Sequence, residues 1–422
     1  MLAETGWWHS FELPDGTMLQ GVCGIEGLKE RLAQFPIPQD LRGKRVLDIG
    51  AWDGWFSFEM ERRGAEVVAI DCWDNPRFRQ VHAALNSKVD YRQLDVYDLS
   101  PETVGRFDIV LFMGVLYHLK HPLLALEKVC SVTKELAAVE SYVSADDLDP
   151  NSRPMMELFE NDEFEGQTDN WVAPNVACLL AMCRIAGFAR VELTQVMEFG
   201  AGAACFRQWD PEVCRDSPVP TLRGAVHNSN LGINFDSKRE EYVACYFKVA
   251  NDANLQLMDI QPQVSGLGVR PIGARRRDQG DWQVNFRLPP GLAPGWHKVS
   301  LRIKNSASSN ERALAVDMPL LASAPVIRSA CDGATWKADQ LEIAKGDVIS
   351  MWVEGMPENA DVNNIRIVLN RERCTVIHVE EPGNSASRQV NVLVPAGLGR
   401  GAATLILEIG DCSSEAVLIQ LV

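Results

Sequence analysis

The chain is short of positive charge. Its 422 residues hold 41 lysines and arginines against 57 acids, a formal net charge of −16 and a pI near 5.0. Affinity for nucleic acid rests largely on cationic contacts with phosphates, so a polyanionic partner is disfavoured. Arg275-Arg276-Arg277 is one local patch, yet Asp278 and Asp281 adjoin it, and we read it as a solvated loop. No run of about 18 apolar residues occurs and no charged-then-apolar leader opens the chain, so neither a membrane span nor an export signal is expected. The eleven cysteines are odd in number and none forms a Cys-x-x-Cys pair. Reduced thiols in a cytoplasmic protein are expected. The seven histidines are dispersed, with no His-x-x-x-His and no Cys/His pair at ligand spacing, so no metal is expected.

What is there begins at Arg45-Val46-Leu47-Asp48-Ile49-Gly50-Ala51-Trp52-Asp53-Gly54. A short apolar strand enters a glycine-bracketed turn, then a helix, then a second apolar strand, Val67-Val68-Ala69-Ile70, ending on Asp71. This is the layout of a nucleoside site in a doubly wound sheet. Gly50 lets the chain turn off the strand, and Gly54 lets the following helix pack closely. Asp71 can accept both ribose hydroxyls, and it follows the turn at about the twenty-residue spacing of a ribose acid.

The charges of the turn choose among nucleosides. A dinucleotide site wants Gly-x-Gly-x-x-Gly, whereas here Trp52 and Asp53 fill the middle, leaving little room for a bulky pyrophosphate. Asp48 would repel phosphate but suits a cation. S-adenosylmethionine carries a sulfonium and an ammonium and no phosphate, so it is the expected cofactor. Val89 to Val96 reads as a third strand whose Asp95 could take the adenine amino group. Arg106 to His118 reads as a fourth strand opening into a loop, followed by a helix from Pro122 and a fifth strand from Glu135 to Val143. Ala51, Cys72, Val96, Met113 and Gly114 are expected to line the same cofactor site.

Together these segments resemble the class I methyltransferase family, whose turn is Asp-x-Gly-x-Gly-x-Gly followed by a ribose acid and an adenine acid. Gly114-Val115-Leu116-Tyr117-His118, with Asp169-Asn170-Trp171-Val172-Ala173-Pro174 and Ala186-Gly187-Phe188, resembles the branch holding the wobble-uridine tRNA carboxymethyltransferases. Trp7-Trp8-His9 through Gly16 is similar to the opening box of their uncharacterised bacterial relatives. The resemblance covers about residues 5 to 250 and implies an α/β Rossmann-like sheet of seven strands, the last antiparallel. One departure is Trp52, which stands where the family has its central glycine.

Methyl transfer is an in-line displacement in which positioning supplies much of the acceleration. A base is needed only if the acceptor sheds a proton. His118, after the fourth strand, is the first candidate for that role or for substrate contact; packing against the cofactor is the plainer alternative. His9, behind two tryptophans, is the second, set against a role as a hydrogen-bonded anchor. Glu140, in an otherwise apolar run, needs a partner, which could be substrate or protein. Trp8, Tyr117, Asn170 and Trp171 are expected at the substrate.

Residues 144–171 and 200–239 read as irregular walls of the pocket, and Glu241 to Val249 as the last, antiparallel strand. Beyond about residue 250 the pattern turns to alternating apolar and polar residues, with an internal repeat. Gln283-Val284-Asn285, Pro289, Gly291-Leu292 and Gly295 recur as Gln389-Val390-Asn391, Pro395, Gly397-Leu398 and Gly401, at a constant offset of 106. Each copy is expected to be a β-sandwich and resembles the immunoglobulin-like modules of the transcription-factor-immunoglobulin type in large bacterial proteins. The expected division is a cap over 1–44, the α/β domain over 45–250, and sandwich modules over 251–320 and 321–422. The sequence therefore reads as a cytoplasmic methyltransferase of a small molecule, acting at oxygen or nitrogen, with a homodimer formed through the β-modules. The alternatives are a tRNA wobble-uridine (carboxy)methyltransferase, with a carboxymethyl donor, and a non-catalytic nucleoside-binding scaffold.

Overall fold

A computed structural model describes residues 6–422 apart from 165, 198–199, 230, 251–254, 278–279, 319–323, 342–347, 359, 363, 384, 396 and 411. Asp278 and the residues around the expected boundaries at 251 and 320 lie outside the described set. After short N-terminal strands come α1 (Ile25–Ala33), β1 (Arg45–Ile49), α2 (Trp55–Arg62), β2 (Glu66–Asp71), α3 (Pro76–Leu85) and β3 (Asp90–Gln93). There follow α4 (Pro101–Val104), β4 (Phe107–Met113), α5 (Pro122–Val132), β5 (Thr133–Tyr142), α6 (Val176–Ile185), β6 (Arg190–Met197) and β7 (Gly200–Phe206).

These strands form one sheet in the order β3-β2-β1-β4-β5-β7-β6. Strands β1 to β5 run parallel, and β7 lies antiparallel between β5 and β6. The near-continuous apolar runs follow from burial on both faces. Alternate residues serve opposite sides: Leu47, Ile49, Val68 and Ile70 pack toward α5 and α6, while Val46, Val67 and Ala69 pack toward α1, α2 and α3. The chain leaves β1 for β2 on one side and reaches β4 on the other, so the topological switch point lies at the carboxyl ends of β1 and β4. No helix among the described residues is long and apolar enough to cross a membrane.

The seventh strand is not where the sequence placed it. Gly200–Phe206, not Glu241 to Val249, completes the sheet. Tyr242–Lys248 pairs instead with Thr221–His227 and Trp282–Arg287 in the first sandwich. The residues Gly-Ala-Gly-Ala-Ala-Cys-Phe read as a loop because they are small, yet Gly200 through Cys205 are buried between two strands. Small side chains suit a strand covered on both faces, which has no alternation to reveal it. The stretch 200–239 is accordingly β7, a connection and sandwich strand, rather than a pocket wall. The stretch 144–171 is less irregular than expected, since Met156–Leu158 forms a hairpin with Val172–Pro174.

The repeat is structural. Tyr242–Lys248 and Gly295–Ile303 in the first sandwich match Val348–Glu354 and Gly401–Ile409 in the second β-module, each at the same 106-residue offset. The strands of the second module are nonetheless joined in one curled sheet rather than the two expected of a sandwich, because Glu372–Val379 pairs on both sides. Strands of the first sandwich begin at Thr221 and those of the second module at Val326. The first sandwich is bonded to the α/β domain. Fully buried Arg207 donates through Nη2 to the Pro290 carbonyl at 2.9 Å, and Trp209 Nε1 donates to the Pro262 carbonyl at 2.7 Å. Arg287 reaches Glu127 on α5 at 2.7 Å.

Candidate functional site at the carboxyl edge of the sheet

The turn after β1 takes three left-handed residues, Gly50 (φ 69°), Trp52 (φ 53°) and Gly54 (φ 98°). Its first amides are tied to the next strand: Gly50 and Ala51 donate N–H to the Ile70 carbonyl at 2.9 and 3.1 Å. A Cβ on Gly50 would collide with the Val115 methyl, so the turn lies directly against the loop after β4. Gly50→Ala combines that overlap with a left-handed backbone, and is expected to cost about 2–4 kcal/mol of stability in thermal unfolding. Gly54 similarly holds α2 close, because a Cβ there would meet Phe58 and Phe78.

Asp71 closes the turn. Its buried carboxylate accepts N–H from Trp52 at 3.0 Å and from Trp73 at 3.1 Å, spanning the turn and the end of its own strand. The indoles of these two residues, each nearly half exposed, meet at 5.8 Å between centroids. Trp52 holds a left-handed backbone despite its bulk. Asp48, behind it, is buried and accepts the Ser57 hydroxyl at 2.6 Å. Burial pushes its carboxyl up to about 6. Asp95 caps the next turn through the Tyr97 N–H at 2.9 Å, with Val96 buried beside it. The half-exposed Cys72 thiol is raised by burial and by Asp71, so it is no thiolate nucleophile near neutrality.

The other half of the site follows β4 and β5. Met113 is buried, and Gly114 (φ 76°) donates N–H to the Glu140 carbonyl at 3.0 Å. The Tyr117 ring lies 4.4 Å from that of Tyr142, and burial raises its phenol beyond any use as a base at neutral pH. His118 is about one third exposed, and its Nδ1 lies 3.1 Å from the Asp169 carbonyl and 3.6 Å from its carboxylate. A carbonyl can only accept, so Nδ1 is the ring nitrogen that donates, and Nε2 is the one left facing away from Asp169. Trp171 donates its N–H to the Tyr117 carbonyl at 2.8 Å, and Lys120 sits 4.0 Å over the Trp171 ring. Asn170, between them, is buried and donates Nδ2 to the Phe164 carbonyl at 3.0 Å.

Two candidate residues have protein partners. His9 pairs through Nδ1 with Asp53, and that carboxylate also accepts the backbone N–H of Trp8 at 2.8 Å and of His9 at 3.0 Å. The half-exposed Trp8 ring stands at this join. Glu140 pairs with Arg31 of α1 through two guanidinium nitrogens and accepts Gln195 Nε2 at 3.2 Å. Asp53 and Arg31 are thus the contributors missed in the sequence. In the sequence Asp53 is only a bulky filler of the turn, and Arg31 lies on the polar side of a short helix with no motif around it. Among the described residues no group of His, Cys, Asp and Glu is arranged to hold a metal.

Sheet order, glycine-bracketed turn and the acids at the ends of β1 and β2 make this half a Rossmann-like α/β domain. Among known proteins, a family described as a methyltransferase domain matches residues 24–173. The tRNA U34 carboxymethyltransferase of Pseudomonas aeruginosa (strain LESB58) is 34% identical over 174 residues, 38% of this chain and 51% of that protein. A ubiquinone biosynthesis O-methyltransferase of Acinetobacter baylyi is 38% identical over 85 residues, 19% of this chain and 36% of its own length. The chain therefore spans about half the length, or less, of these curated relatives. The N-terminal domain of EvdMO1, crystallised with S-adenosylhomocysteine and D-fucose, aligns at a TM-score of 0.36 and 23% identity, covering 47% of this chain and 90% of that one.

Proposed function

We propose that this protein is an S-adenosylmethionine-dependent methyltransferase acting on oxygen or nitrogen of a small molecule in the cytoplasm. The observation that carries the reading is Asp71, whose carboxylate is held jointly by the turn at Gly50–Gly54 and by the end of β2. Each of its oxygens has one backbone donor and a second lone pair to spare, which suits a pair of ribose hydroxyls. Asp48 suits the cationic end of the same molecule, Asp95 its adenine amino group, and the Val115-packed turn offers a bed without phosphate-binding cations. When bound, the cofactor supplies a methyl group on a positively charged sulfur.

The chain's own residues then have defined tasks. Asp71 and the turn orient the donor, while Tyr117, Asn170 and Trp171 wall the acceptor. His118, oriented by Asp169, can receive the acceptor's proton at Nε2 and pass it to solvent through its exposed edge. His9 and Glu140 tie the N-terminal cap across the two ends of the cleft. We propose that the sandwiches pair two copies of the chain, with sedimentation of the full protein as the check.

Calorimetry with S-adenosylmethionine, followed by methyl release from the labelled cofactor in the presence of cell extract, tests the assignment. Absence of binding at millimolar cofactor would overturn it; binding without methyl release would favour a nucleoside-binding scaffold. A tRNA substrate is the second reading, favoured by the name of the Pseudomonas relative and opposed by the net charge of −16. Retention of tRNA that weakens steeply with added salt would revive it.

Asp48 makes binding pH-dependent. Its carboxyl stands at about 6, above its ordinary value of 3.8, because burial penalises the charge. Between those values the folded chain keeps a proton that the unfolded chain has lost, so stability declines as pH rises through that window. A cationic ligand reverses the preference, since it favours the ionised acid. Affinity for S-adenosylmethionine is therefore expected to rise several-fold from about pH 5 to about pH 7.5, and Asp48→Asn to flatten the profile.

A further inference from the structure

Asn170 has an unused acceptor. The residue is 1% exposed, and its Oδ1 has no partner among the described residues. The orientation of the amide is settled by chemistry. The other end lies 3.0 Å from the Phe164 carbonyl, which can only accept, so that end must be the NH2. Oδ1 is therefore a buried acceptor awaiting a donor, and a buried polar atom left unpaired is costly.

Its surroundings indicate what kind of donor fits. Asn170 lies between Asp169, which meets His118, and Trp171, whose N–H is bonded to the Tyr117 carbonyl. Its Phe164 partner belongs to an aromatic run: Phe159 stacks on Phe164 at 4.9 Å and 8°, Phe164 meets Tyr142 edge-on at 5.0 Å, and Tyr142 meets Tyr117 at 4.4 Å. Aromatic faces attract organic cations. The segment bearing Phe159 and Phe164, residues 144–171, carries nine acids and a single arginine. Nearby, Arg31 is neutralised by Glu140, and the one charge of Lys120, over the Trp171 ring, is outnumbered by those acids. Acceptor, rings and field all favour positive charge, and a carboxylate or phosphate would find repulsion instead.

We propose that the methyl acceptor is an organic amine whose N–H is received by Asn170 Oδ1 and whose positive charge rests against the Tyr117–Tyr142–Phe164 rings. This rests on the methyltransferase reading above and narrows it to nitrogen. The balance is simple. The ammonium loses a proton to His118 Nε2, and the freed lone pair forms the N–C bond. The S–C bond breaks with its electrons returning to sulfur, and the substituted amine leaves with the positive charge.

The test uses the full chain saturated with S-adenosylhomocysteine and three matched series of probes: arylalkylamines such as tyramine, the corresponding carboxylates such as 4-hydroxyphenylacetate, and neutral analogues such as 4-ethylphenol. The amine of at least one matched set is expected to bind tenfold or more tightly than both its analogues. Asn170→Asp is expected to preserve or strengthen that preference, and Asn170→Leu to abolish it. Retained S-adenosylhomocysteine affinity shows that each variant is folded. Failure of the wild type to bind the homocysteine nucleoside defeats the methyltransferase reading itself. Intact nucleoside binding with no amine preference, or a preference untouched by Asn170→Leu, overturns only the amine.

Discussion

Asp71→Ala is expected to weaken S-adenosylhomocysteine binding by about a hundredfold or more. The carboxylate stands ready for two hydroxyls, and hydrogen bonds to a charged group contribute about 1.5–3 kcal/mol each. Roughly 3 kcal/mol corresponds to two decades of affinity. The Trp52 and Trp73 N–H groups lose a part-buried acceptor, so a moderate loss of stability is expected beside the loss of affinity. Asp71→Asn keeps the shape without the charge and should fall between. Calorimetry reads the affinities and thermal melting the fold. An alanine variant binding within threefold of wild type would remove Asp71 from the nucleoside site.

The second large effect concerns stability. Asp53 is fully buried and serves the His9 ring and two backbone N–H groups at once. Asp53→Ala leaves all three without a partner, and is expected to cost about 3–5 kcal/mol, as for a buried pair broken from one side. His9→Ala should cost less, since the carboxylate keeps its two amide donors. The two changes together should cost less than their sum, because they remove the same contact. If His9 serves chemistry instead, His9→Gln would hold its melting temperature and nucleoside affinity while turnover collapses. Asp53 adjoins Trp52, so freeing the N-terminal cap should also loosen the cofactor turn, seen as weaker nucleoside affinity in Asp53→Ala.

Much of the α/β half could be read in the chain before folding. Strands β1, β2, β4 and β5 were recoverable because each carries a short apolar run set off by glycine, proline or an acid, whereas β3, Asp90–Gln93, is a polar edge strand legible only from the apolar residues and the acid that flank it. The turn was recoverable because left-handed backbone demands glycine at Gly50 and Gly54. Strand β7 was not, since a strand buried on both faces needs no alternation and small residues resemble a loop. The repeat carried a clue to the first sandwich: an offset of 106 requires the first copy to begin well before residue 250. Tyr242–Lys248 nonetheless reads as a strand of the other sheet, because it matches its counterpart Val348–Glu354 in pattern rather than in residues.

The sequence by itself determined the order of β1 to β5, the glycine-bracketed turn, the acids beside it and the duplication of the β-half. These follow from local rules: side-chain periodicity, the sterics of positive φ, and spacing along one strand–turn–helix unit. Tertiary structure alone decided that Glu140 meets Arg31, that His9 meets Asp53, and that Asn170 is left with an acceptor unmet. Those pairings join residues distant along the chain, and a buried charge finds its partner by where elements pack, which no local pattern records.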